Sequence, residues 1–182
     1  PKFNTPVGTA RYPHLNKSDT KFDDDGDYKC DVICEDTPET HELVAYLEGL
    51  RDDYFDKVAS EKKNPEKAEV FATELDDAGD PTGRIIFKTK MKAVGRNKST
   101  GEEWTNEPKL FDSVGNPLGS DCQVWSGSKL IVAGTVNLYA MTDKIRENGK
   151  QITITSIGAS LKCRGVQVIE LVSGAGQTAE SF

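Results

Sequence analysis

Histidine and cysteine are scarce in this chain. Among 182 residues there are two histidines, His14 and His41, and four cysteines, Cys30, Cys34, Cys122 and Cys163. Four cysteines at this length make no disulfide framework, and they read as reduced thiols of an intracellular protein. Cys30 and Cys34 would share a strand face, but the other candidate ligands lie without zinc spacing. No metal or cofactor is therefore expected. No nucleophile stands beside a base, so no hydrolase site assembles and the chain reads as a non-enzyme. Long apolar runs are missing too. None approaches the roughly 18 residues that span a bilayer, and no basic-then-apolar leader opens the sequence. No membrane partner is expected. Hydrophobic residues make up 36%, enough for one lean-cored domain.

Three local patterns resemble known sites and fail on detail. Asp23-Asp24-Asp25-Gly26-Asp27 has its glycine misplaced for a calcium loop and lacks the bidentate Glu, so it reads as a solvated turn. Gly95 to Thr100 lacks the spaced glycines and following helix of a phosphate loop. Asn16-Lys17-Ser18 and Asn97-Lys98-Ser99 fit the glycosylation pattern, which is idle inside a cell.

What the chain does have is charge divided by position. Residues 84–164 hold thirteen Lys and Arg against seven Asp and Glu, while residues 1–83 hold ten against twenty-one. The net charge of −7 argues against a nucleic-acid partner, but the basic middle argues for one. That middle opens with Arg84-Ile85-Ile86-Phe87-Lys88-Thr89-Lys90-Met91-Lys92-Ala93-Val94, which alternates with period two. On a strand, Ile85, Phe87, Met91 and Ala93 face a core, and Lys88, Lys90 and Lys92 form a row about 7 Å apart on the other side. A row of this kind follows a polyanion; it equally keeps an edge strand soluble.

Element by element, residues 8–12 read as a short strand and 28–34 as another. Thr37-Pro38-Glu39 starts a helix of about 39–62, with an N-cap, Pro at the first position and an acid in the first turn. Leu43, Leu47, Leu50, Tyr54 and Val58 form its apolar stripe. Residues 63–83 read as loop. Strands follow at 84–94, 107–113, 129–141 and 151–171, with a polar loop at 142–150 that holds the hairpin signal Asn148-Gly149 and a bend near Gly158 or Gly165. In 129–141, Leu130, Val132, Val136 and Leu138 share one face, and Thr135, Asn137 and Tyr139 the other. The predicted fold is mainly β, a five-stranded OB-fold-like barrel with one inserted amphipathic helix; a β-sandwich is the alternative. One domain is expected over 1–172, with a flexible tail at 173–182.

Thr9-Ala10-Arg11-Tyr12-Pro13-His14-Leu15-Asn16-Lys17, leading into Thr20-Lys21-Phe22 and Tyr28-Lys29, resembles the opening of T7-like bacteriophage single-stranded DNA-binding proteins. Arg164-Gly165-Val166-Gln167-Val168-Ile169-Glu170-Leu171 resembles their closing strand, and Gly127-Ser128-Lys129-Leu130 fits the pattern between them. The resemblance covers most of residues 7–171 but not 60–83. It implies an OB barrel with an added helix and sequence-tolerant binding of single strands in phage DNA replication, recombination and repair, in the cytoplasm of the infected host. It also implies an acidic tail closed by an aromatic residue that recruits replication or recombination proteins. Phe182 fits that tail, but Glu180 is the only acid in Thr178-Ala179-Glu180-Ser181-Phe182. Either the sequence stops within the tail or recruitment works differently here. Homodimerisation is left open.

Single-strand binding needs cations along a groove and flat side chains on which bases stack. The candidate cations are Arg11, Lys88, Lys90, Lys92, Arg96, Lys109, Lys129, Lys162 and Arg164. The candidate stackers are Tyr12, Tyr28, Trp104, Phe111, Trp125 and Tyr139. Tyr139 leads because it lies opposite a continuous apolar stripe; Trp104 is expected in the loop between strands as a loop-tip stacker or a rim plug. Phe87 is assigned to the core. Two other functions fit the same residues: a structural or assembly protein of the phage particle, and an RNA-binding OB protein.

Overall fold

The computed structural model describes residues 1–172 apart from Phe22 and Ser120. The segment expected as a flexible tail, 173–182, lies outside the described residues. In chain order the elements are β1 (Lys2–Asn4), β2 (Gly8–Asp19), β3 (Asp27–Cys34), α1 (Pro38–Val58), β4 (Pro65–Lys67), β5 (Ala72–Leu75), β6 (Pro81–Lys92), β7 (Val94–Arg96), β8 (Glu103–Thr105), β9 (Lys109–Phe111), β10 (Lys129–Glu147) and β11 (Lys150–Glu170).

Five long strands close a ring. β3 runs antiparallel to β2 on one side and to β6 on the other, and β10 and β11 form a long antiparallel hairpin. β10 closes onto β2 through Lys129↔Thr9 and Leu130↔Gly8. β11 meets β6 in parallel at Leu161↔Thr89. This is the predicted OB-like barrel. Period-two alternation fills its interior: Val32, Phe87, Leu130 and Val132 are fully buried, as are Cys30 and Cys163. Burying each large side chain contributes about 1.5–3 kcal/mol.

α1 begins as the sequence requires. The Thr37 hydroxyl accepts a hydrogen bond from the Thr40 N–H at 3.3 Å, and Pro38 occupies the first turn. Leu43, Val44 and Leu47 are buried and belong to the barrel's core cluster, so the helix packs on the ring, against β10 and β11. A 3-10 turn, Ala59–Glu61, ends it.

Several boundaries differ from expectation. The first strand continues past Tyr12 to Asp19 because the ladder slips between Arg11 and His14. Pro13, which has no N–H to give, falls within that irregularity. Residues 63–83 are not simply loop. Pro65–Lys67 pairs with β11, Ala72–Leu75 pairs with β6, and the buried Arg51 guanidinium donates to the Ala68 carbonyl at 2.9 Å. Residues 142–147 are strand rather than loop. The hairpin turns only at Asn148-Gly149, both with positive φ, as a tight two-residue turn needs. The expected bend lies near Gly165. Its register slips opposite Ala133 and Gly134, and a Cβ on Gly134 would sit 1.7 Å from the Lys162 carbonyl oxygen.

Candidate nucleic-acid interface

The outer face of β6 carries the lysine row. Lys88, Lys90 and Lys92 are exposed between buried Phe87, Thr89 and Met91. Across the ladder they stand opposite Asp31, Lys29 and Asp27 of β3, and Asp31 in turn stands opposite Arg11 of β2. On the other side of β6, the Thr89↔Leu161 bridge sets Ser160 and Lys162 of β11 beside the row. Across the hairpin, Thr135, Asn137 and Tyr139 oppose Lys162, Ser160 and Gly158.

These strands enclose a groove of about 520 Å³ lined by Lys88, Lys90, Lys92, Lys162 and Tyr139, with Ser160 between them and residues 69–72 as a wall. Tyr139 leans over its cross-strand partner. A Cβ added at Gly158 would lie 2.6 Å from the tyrosine hydroxyl and 3.0 Å from Ala68. The half-buried ring therefore rests on glycine backbone and also borders the groove. Phe71, half-buried against the core, lines the same groove. Reading 63–83 as loop leaves it out. The adjacent apolar pair Val70-Phe71 in an otherwise polar stretch is the signal that points to it.

Charge along the groove is uneven. Among the described residues, Lys88 and Lys162 make no ion pair, whereas Lys90 pairs with Asp27 at 3.6 Å and Lys92 with Asp23 at 3.3 Å. Beyond the row's end, Arg96 is held by Asp25 at 2.7 Å and by Glu103 at 2.8 Å. The Asp23 carboxyl lies below the ordinary carboxylate value because the Asp25 N–H, and then Lys92, hydrogen-bond to its charged form. Arg96 is pushed the other way, chiefly by Glu103 and then Asp25.

The remaining predicted residues lie elsewhere. Arg11 forms a 2.8 Å salt bridge with Asp31, and its guanidinium stands 5.0 Å from the centre of the Tyr12 ring. Tyr12 adopts φ +53°, which a bulky side chain rarely does. It is 64% exposed, and its N–H donates to the Ser126 hydroxyl at 3.1 Å, next to exposed Trp125. The Lys129 ammonium donates to the Thr9 hydroxyl at 2.6 Å. Trp104 is not at a loop tip. It lies on β8 opposite Gly95, and its indole occupies the space a Cβ at 95 would take. Lys109, Phe111 and Arg164 line a separate cavity of about 790 Å³ beside β1 and α1, with Glu39, Glu42 and Tyr46. Tyr28 is half-buried against the core.

A five-stranded closed barrel with an inserted helix and a basic, aromatic-lined outer groove is an OB-type architecture. Its likeness among solved structures is to phage single-stranded DNA-binding proteins. The crystal structure of gp2.5, a single-stranded DNA-binding protein encoded by bacteriophage T7, superposes with a TM-score of 0.68 at 20% identity, over 100% of this chain and 92% of that one. The single-stranded DNA-binding protein of bacteriophage Enc34, in complex with single-stranded DNA, superposes with a TM-score of 0.51 at 10% identity, over 96% and 89%. No protein-family model and no curated protein matches the chain. At these identities the likeness establishes the fold.

Proposed function

We propose that this protein is a phage single-stranded DNA-binding protein that holds its strand without reading sequence, acts without catalysis, and serves DNA replication, recombination and repair in the infected cell. The observation that carries the reading is the groove itself. Lys88 and Lys162, free of ion pairs among the described residues, border it together with Tyr139 and Phe71. Phosphates displace counterions along the lysines, which makes affinity fall as salt rises. Bases stack on the aromatic faces at about 1–3 kcal/mol each, whatever their identity. The fold shared with the T7 and Enc34 proteins supports the same reading. Arg11, Tyr12 and Trp125 extend the path, because Arg11, Asp31 and Lys88 lie in one row across β2, β3 and β6. Replication or recombination proteins, and a second copy of the chain, are its proposed protein partners.

The test is a Lys88→Ala, Lys162→Ala double variant titrated with single-stranded DNA at several salt concentrations. The slope of log affinity against log salt should flatten by about 0.7 for each phosphate that the variant no longer neutralises. An unchanged slope and affinity would remove the groove from the DNA path.

A further inference from the structure

The lysine row ends at a turn that brings its own anions. Between β2 and β3 the chain passes through Asp23-Asp24-Asp25-Gly26. The turn is closed by Gly26 N–H to the Asp23 carbonyl at 2.9 Å and by Asp25 N–H to the Asp23 side chain at 3.0 Å. The Ala93 N–H binds the Gly26 carbonyl at 3.0 Å, which fixes the turn to the end of β6. Gly26 needs its positive φ of +85°, and a Cβ there would meet the Ser18 hydroxyl at 2.4 Å. The turn is thus held in place, and the aspartates divide. Asp23 and Asp25 meet Lys92 and Arg96, and the following Asp27 meets Lys90. Asp24, between them, is exposed and makes no ion pair among the described residues. Asp27 is 8% exposed and its buried Oδ1 has no hydrogen bond among the described residues, so its carboxylate is incompletely satisfied where it stands. Of the acids nearby, Glu103 shares Arg96 and Asp19 holds Lys29.

We propose that Asp23, Asp25 and Asp27 are built-in phosphate surrogates, competing with the nucleic-acid backbone for Lys92, Arg96 and Lys90 and so setting how tightly the basic face holds a strand. The proposal rests on the reading of that face as the DNA path. A carboxylate within salt-bridge distance of a cation occupies the position a phosphate oxygen would take, so each contact with DNA there must first break an internal pair. The same pairs leave Lys88 and Lys162 as the cations a strand meets without competition. The local charge balance falls accordingly, and weak polyanion binding is disfavoured.

The experiment compares wild type, Asp23→Asn, Asp25→Asn, the Asp23→Asn/Asp25→Asn double variant and Asp24→Asn in fluorescence anisotropy with a labelled 30-nucleotide single strand, from low to high salt. Asparagine keeps the Oδ1 that caps the turn, and thermal melts check that each variant is folded. An exposed ion pair shifts an equilibrium by a factor of about 1.4 to 5. The double variant should therefore bind about 2- to 30-fold more tightly at low salt, with the gain shrinking as salt screens the internal pairs. Asp24→Asn should gain less than either paired position, despite the same change in charge. Equal gains for Asp24→Asn and for Asp23→Asn or Asp25→Asn alone would overturn the proposal in favour of a general field effect. Weaker binding by the double variant would overturn it in favour of a turn that positions the cations. If wild type binds and the variants do not differ, only the competition fails. If neither wild type nor variants bind at low salt, the DNA reading falls and this inference with it.

Discussion

Tyr139 and Gly158 face each other across the β10–β11 hairpin, and the tyrosine hydroxyl end fills the space a larger residue at 158 would need. Glycine here is a condition for the ring's position beside Lys88, Lys90 and Lys162. Gly158→Ala should push the ring away from its seat and weaken single-strand binding several-fold. Its effect on affinity should vanish in a Tyr139→Ala background, because the two residues act through one ring. Equal losses in both backgrounds would separate them.

Tyr139→Ala alone should cost about 1–3 kcal/mol of single-strand affinity with the melting temperature nearly unchanged. The ring lies on the outer face, while the core is carried by Val132, Val136 and Leu161. A large drop in melting temperature would make the residue a packing element instead.

Gly134 meets the opposite strand's backbone. With the Lys162 carbonyl oxygen 1.7 Å from a would-be Cβ, Gly134→Ala must displace the bulge that coils the hairpin. It should cost about 2 kcal/mol of stability or more, lowering the melting temperature by about 4–8 °C or more for a chain of this size. A melting temperature equal to wild type would mean the bulge relaxes freely.

The thiols should separate by burial. Cys30, Cys34 and Cys163 are buried and Cys122 is partly exposed. Burial pushes the Cys34 thiol up to about 12 and the Cys163 thiol up to about 11, and it raises Cys30 as well. Thiolate is the reactive form, so a thiol reagent at pH 8 should modify Cys122 in the folded protein and all four cysteines after denaturation. Rapid modification of Cys30 or Cys163 in the folded state would contradict the core assignment.

How far the sequence can be read follows from the range of the forces involved. The Thr37-Pro38 start of α1, the alternation of β6 that separates Phe87 from Lys88, and the Asn148-Gly149 turn are all set by neighbours a few residues away. Each of them folds as read. Phe71 escapes a sequence reading because β4 and β5 are short and owe their strand form to partners on β11 and β6, far along the chain. Trp104 reads as a loop tip because its seat on Gly95 depends on a hairpin of three-residue strands. The pairing of Asp23 with Lys92 joins residues 69 apart, so the charge asymmetry is visible in the sequence while its internal cancellation is not. The groove's membership is half legible for the same reason. Period two puts Lys88, Lys90 and Lys92 on one face, but only the barrel's closure brings Lys162 and Tyr139 to them.

The most direct measurement is a fluorescence-anisotropy titration of the wild-type protein with a labelled 30-nucleotide single strand, its duplex and the matching RNA, each at low and high salt. Tight binding to the DNA single strand that weakens with salt, with much weaker binding to the duplex, is the predicted result; the RNA curve then decides which single strand is preferred. No binding to any of the three at low salt would contradict the account and leave a structural role in the phage particle as the better reading.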